Sequence, residues 1–83
     1  MLKHRINPDY INAAMQSATF KELADNEGYF GSIPGFQGVW ANEATLEACR
    51  AELESALEDW LDFSLTRDLP VPTIQGISLL SIE

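Results

Sequence analysis

The sequence predicts one α+β domain in the order helix, three strands, long helix, strand. Three observations carry this. Residues 18–41 alternate with period two between glycine-bearing turns, residues 45–66 change to an apolar spacing of three and four, and Leu69-Pro70-Val71-Pro72 ends that spacing. The chain has 83 residues. At that size about 60–65% of the unfolded surface can be buried, so one thin core or a homo-oligomer is expected.

The first element is a short helix over residues 7–17. Asn7 is a capping residue, Pro8 suits the first helical position, and Asp9 favours the positive end of the helix dipole. Tyr10, Ile11, Ala14, Met15 and Ser17 form its stripe. Strand one is expected over Ala18–Ala24, where Phe20 alternates with Lys21 and Glu22 with Leu23. Asp25-Asn26-Glu27-Gly28 reads as a hairpin turn. Strand two, Tyr29–Ile33, places Tyr29, Gly31 and Ile33 on one side and Phe30 and Ser32 on the other. Pro34-Gly35 marks a second turn, and Val39-Trp40-Ala41 is a short third strand, which completes an antiparallel meander.

Thr45 caps the long helix, expected from Thr45 to about Thr66. Leu46, Cys49, Leu53, Ala56, Leu57, Trp60 and Leu61 form its apolar stripe, which packs across one face of the sheet. Gly76 turns the chain into a final strand, Ile77–Ile82. The 18–82 segment is thus a βββαβ unit, and the other sheet face is either wet or an oligomer interface.

Thirteen acidic residues against five basic ones give a formal net charge of −8. This repels nucleic-acid phosphates and favours basic partners. A single cysteine fits a reducing compartment. No apolar run reaches membrane-span length and no secretory signal is seen, so a cytoplasmic location is expected.

Catalysis needs a nucleophile with a base, a metal cluster or paired carboxylates. His4 stands alone near a terminus, and Cys49 lies on the apolar stripe, where a free thiol is buried and inert. No CxxC, HExxH, Walker or dinucleotide motif is present, so no catalytic residue, metal or cofactor is assigned. Asp25 and Glu27 flank a turn and have the chemistry for a hard cation, although turn residues of this type are common without one. Glu47, Glu54, Glu58 and Asp62 recur along the outer face of the long helix, either as a solvated face or as an acidic docking strip. Trp60 is expected in the core. Trp40, beside polar residues in a short strand, is expected to be partly exposed and to mark an interface.

From Asp25 to Ala41, DNEGYFGSIPGFQGVWA, the chain resembles the HicB-like antitoxin family. Thr45-Leu46-Glu47-Ala48, Ala56-Leu57-Glu58-Asp59-Trp60-Leu61 and the exit Pro70 to Pro72 resemble that family's helix and its proline-rich end, so that the likeness runs from about Ala18 to Ile82. The resemblance implies a truncated ribonuclease-H-like unit without catalytic carboxylates, and a protein that binds a small basic mRNA-cleaving toxin of the HicA type. It also implies homo-dimers or higher homo-oligomers. Two features depart from the pattern. The chain ends at Glu83 with no room for the C-terminal DNA-binding segment of many members, so no direct DNA or RNA binding by this chain is expected. It also begins with an extra helix.

The expectation is therefore an antitoxin-like, non-enzymatic binding protein that masks its toxin sterically. Glu47, Glu54, Glu58 and Asp62 would steer the encounter, with Asp25, Glu27 and Trp40 as further contacts. The alternative is a homo-oligomeric structural or small-ligand-binding module without a toxin. A residual metal-dependent nuclease would need several convergent carboxylates, of which the sequence offers only Asp25, Glu27 and the helix acids.

Overall fold

Asn7 and Pro8 begin the first helix as their chemistry requires. In the computed structural model, which describes residues 6–74 and 76–80, α1 spans Pro8–Gln16. The Asn7 side chain accepts a hydrogen bond from the Asp9 amide at 3.0 Å. Tyr10, Ile11, Ala14 and Met15 are buried, while Ser17 stays outside the buried stripe.

The sheet has three antiparallel strands in the order β1-β2-β3, with β1 at Thr19–Glu22, β2 at Tyr29–Ser32 and β3 at Trp40–Glu43. The register pairs Phe20 with Gly31 and Gly31 with Ala41. The first strand is shorter than its alternation suggested. Ala24–Asn26 forms a single 3-10 turn, and Asp25 and Asn26 both take left-handed backbone angles, so pairing stops before Ala24. The connection to β2 is thus not a tight turn over Asp25–Gly28, although Leu23 still donates to the Gly28 carbonyl at 2.8 Å. The third strand begins at Trp40 and runs two residues further than expected, to Glu43.

Between β2 and β3 the chain makes two successive turns. The Phe36 amide donates to the Ile33 carbonyl and the Val39 amide to that of Phe36. Gly35 and Gly38, each third in its turn, have φ of 88° and 90°, the angles a type II turn demands there. This double turn buries Ile33, Phe36 and Val39 while exposing Pro34, Gly35, Gln37 and Gly38.

α2 spans Leu46–Thr66, capped by the Thr45 hydroxyl, which accepts from the Ala48 amide at 3.1 Å. Cys49, Leu53, Leu57 and Leu61, one turn apart, are fully buried and lie on the inner face of the sheet. Each buried leucine contributes about 1.5–3 kcal/mol of transfer free energy. Leu46 belonged to the expected stripe but is exposed at the first position of the helix. Trp60 is only half-buried, with its ring set edge-on against Phe36 at 5.6 Å. The helix ends in a Schellman motif, in which Leu69 donates to Ser64 and Asp68 to Leu65, with Asp68 at φ 56°.

The expected final strand, Ile77–Ile82, is not seen among the described residues. Residues 77–80 add no strand to the sheet, and residues 81 and 82 lie outside the described residues. Instead Ile77 folds back on Ile74, and Leu80 forms an isolated bridge with Ile6. The tail is tied to the segment before α1. The Asn7 amide donates to the Leu79 carbonyl at 2.8 Å, and the Asn7 side-chain nitrogen donates to the Ser78 carbonyl at 3.0 Å. The tail's backbone groups are thus satisfied away from the sheet, and Ser78 breaks the apolar alternation a paired strand would use.

Candidate protein-docking site

The N-terminal helix α1 changes the character of the acidic strip. Glu54, Glu58 and Asp62 stand four residues apart on α2, so they share one side of that helix. That side is not an open outer face, because α1 lies beside it. Ile6, Pro8, Ile11 and Asn12 form the other wall of a groove of about 290 Å³ that these three acids line. Glu54 and Asp62 are half-buried and Glu58 is exposed. The groove therefore combines an apolar wall with an acidic rim. Like charges four apart on a helix cost a few tenths of a kcal/mol per pair, so the Glu54–Glu58 spacing does not serve helix stability.

The remaining candidate residues do not join this groove. Glu47 is exposed in the first turn of α2, at the end of the sheet where Glu43 pairs with Tyr29. Asp25 and Glu27 are exposed in the β1–β2 connection at that same end, so Glu47 belongs with them. Trp40 is 57% exposed and points from the sheet face opposite α2. Ile6, Pro8, Ile11 and Asn12 were not picked out as site residues by sequence reasoning. Their only signal was their place in a helix whose neighbour was unknown.

The thiol of Cys49 is buried and lies 3.5 Å from the carbonyls of both Tyr29 and Ala41. Burial pushes its pKa up and outweighs a hydrogen bond with the Glu43 backbone, which lowers it, while the Glu43 charge adds a smaller upward push. It is thus a protonated packing group, the opposite of an activated nucleophile. Among the described residues, no three His, Cys, Asp or Glu side chains gather as a metal-ligand group. Among them, too, no helix is long and apolar enough to cross a membrane.

A family profile, UPF0150-like, matches residues 9–72, which take in all of α1 but its first residue, all three strands and α2. The chain belongs to the UPF0150-like family. That family is HicB-like and associated with toxin–antitoxin systems. The UPF0150-like fold seen here is similar to the crystal structure of TTHA0281 from Thermus thermophilus, with 41% sequence identity and a TM-score of 0.77. The alignment covers 89% of this chain and 94% of that one. No curated protein matches this UPF0150-like chain at a significant level.

Proposed function

We propose that this domain is an antitoxin-like binding protein that docks a small basic, mRNA-cleaving toxin of the HicA type and masks its RNA-facing surface. The observation that carries the reading is the α1–α2 groove, with an apolar wall from Ile6, Pro8 and Ile11 and an acidic rim from Glu54, Glu58 and Asp62. A basic amphipathic segment matches both chemistries at once. Its apolar side chains lose water against the wall, and its lysines or arginines meet the rim. The net charge of −8 extends the attraction beyond contact range and speeds the encounter. Membership of a toxin–antitoxin-associated family supports the same reading. Glu47, Asp25 and Glu27, at one end of the sheet, would steer the partner at longer range, where salt screens them most.

The test is co-expression with a short basic toxin of the HicA type, taken from the reading frame beside this chain where one is encoded there, followed by pull-down and a growth assay. The expected result is a complex that restores growth. Replacing Glu54, Glu58 and Asp62 with lysine slows its association and flattens the salt dependence. No complex with that toxin, or a complex whose rate and salt dependence ignore the triple variant, would defeat the reading.

A further inference from the structure

Two residues of the groove's apolar wall, Ile6 and Pro8, flank Asn7, and Asn7 is the residue that the tail holds. Its backbone amide donates to the Leu79 carbonyl and its side-chain nitrogen to the Ser78 carbonyl, while Ile6 itself forms an antiparallel bridge with Leu80. None of residues 77–80 is among those that line the groove. We propose that residues 77–80 are a clasp that sets the position of this wall, so that the tail governs, from outside the site, how well the groove receives its partner. The control over the partner rests on the docking reading of the groove, whereas the hold on the wall does not.

The wall needs this hold because the helix that carries it is short. α1 has nine residues, and helices below about 12–15 residues do not persist in water without packing. Tyr10, Ile11, Ala14 and Met15 supply that packing, but the wall begins before them. Ile6 is half-buried and Pro8 is exposed, so burial alone leaves the start of the wall loosely fixed. Apolar contact is non-directional, whereas hydrogen bonds fix both distance and angle. The tail is shaped to supply them. Gly76, at φ 77°, and the bond from the Ile77 amide to the Ile74 carbonyl reverse the chain. Ile77 and Leu79 then rest part-buried on the core, with Ser78 exposed between them. The clasp thus stands on the core and meets the wall through the carbonyls of Ser78 and Leu79. The Tyr10 hydroxyl, on the Pro72 carbonyl, ties the same helix to the segment that leads into that turn.

Coupling of this kind runs both ways. If releasing the clasp weakens partner binding by some factor, partner binding favours the closed clasp by the same factor. Groove and tail are then two sites joined by one short piece of backbone, residues 6–8. A partner seated against Ile6 and Pro8 steadies the tail, and a force that draws the tail away from Asn7 loosens the partner. Asn7 is a positioning residue in this scheme, because it acts on the groove through its two neighbours.

Two variants outside the groove release the clasp in different ways. Asn7→Ser keeps a capping oxygen and adds no charge, but loses the amide nitrogen that reaches Ser78. Leu79→Ser removes the tail's apolar footing. Methyl NMR of the full chain without partner reads the wall directly. In both variants the Ile6 methyl signals are expected to shift toward the values of an unfolded chain, while those of the buried Leu57 stay in place as a check on the fold. Binding to a short basic toxin of the HicA type is expected to weaken by roughly tenfold in each variant. In the wild-type complex, amide exchange at Asn7 should slow by a factor of similar size. Ile6 signals unchanged in both variants would overturn the clasp, whatever the toxin does. So would a toxin affinity that is the same in wild type and in both variants. If wild type binds no such toxin, the docking reading fails on its own, and a shifted Ile6 still upholds the tail's hold on the wall.

Discussion

The sulfur of Cys49 lies where a side chain on Gly31 would begin: a Cβ there would be 3.2 Å from Sγ and 2.8 Å from the Phe20 ring. Gly31 is central in β2, paired on both sides, and α2 sets Cys49 directly over this position, which has no side chain. Gly31→Ala therefore forces the Phe20 ring and the helix outward. Overpacking of this kind costs about 1–3 kcal/mol. In a domain this small each kcal/mol lowers Tm by about 4–8 °C. Adding Cys49→Ala removes one of the two clashing groups, so thermal melts should show the double variant losing less than the sum of the single losses. Strict additivity would mean that the helix does not rest on this position.

Tyr10 links α1 to the proline-rich exit. Its ring is buried and set edge-on to Phe36, and its hydroxyl donates to the Pro72 carbonyl. Desolvation raises the phenol pKa above its ordinary 10.0. The neutral form is thus favoured in the folded state. The resulting stability is complete below the unfolded pKa and is lost as pH rises through the higher folded value. Tyr10→Phe should cost about 1 kcal/mol near neutral pH, the usual net worth of one hydrogen bond. It should also flatten the fall in urea-unfolding stability between neutral pH and pH values above 10.0 relative to wild type. Parallel curves for the two proteins would dismiss the phenol as the source of the alkaline loss.

The end of α2 holds a position the sequence fills poorly. Asp68 adopts a left-handed backbone angle in the Schellman motif, where glycine is the usual residue. Its carboxylate also sits by the negative end of the helix dipole. Asp68→Gly relieves both and should stabilise the fold by about 1 kcal/mol. Differential scanning calorimetry would detect this as a higher Tm. An unchanged or lower Tm would mean that the added freedom of glycine in the unfolded chain outweighs the relief.

Much of this architecture is legible in residue spacing. The four-residue step through Cys49, Leu53, Leu57 and Leu61 locates α2 and its buried side, and Asn7-Pro8 and Thr45 mark both helix starts because capping is local chemistry. The faces of β2 follow from alternation alone. The tail departs from its pattern for a physical reason. Ile77, Leu79 and Leu80 have strand composition, but the hydrogen bonds that fix the tail come from Asn7, a residue more than seventy positions away. Spacing alone picks out the acids of the groove but not their apolar partner wall, since no local pattern tells which helix will lie beside Glu54. Likewise the sequence shows Phe30 and Trp40 as aromatic strand residues, but their stacking depends on a register set by the double turn.

Asn7 performs two tasks with one amide, and substitution can separate them. Its side-chain oxygen accepts from the Asp9 amide and caps α1, while its nitrogen donates to the Ser78 carbonyl and fastens the tail. Asn7→Asp keeps the capping oxygen but has no donor for Ser78. Asn7→Ala removes both. The alanine variant should lose about 1–2 kcal/mol, the sum of a cap and a partly exposed hydrogen bond. The aspartate variant should lose less than about 1 kcal/mol, because capping survives. Amide hydrogen exchange tells the tasks apart. Faster exchange at Ile77 in both variants, with faster exchange in the first turn of α1 only for alanine, is the expected pattern. If Asn7→Asp leaves Ile77 protected, the backbone bond from the Asn7 amide to Leu79 is enough to hold the tail, and the side chain serves the helix alone.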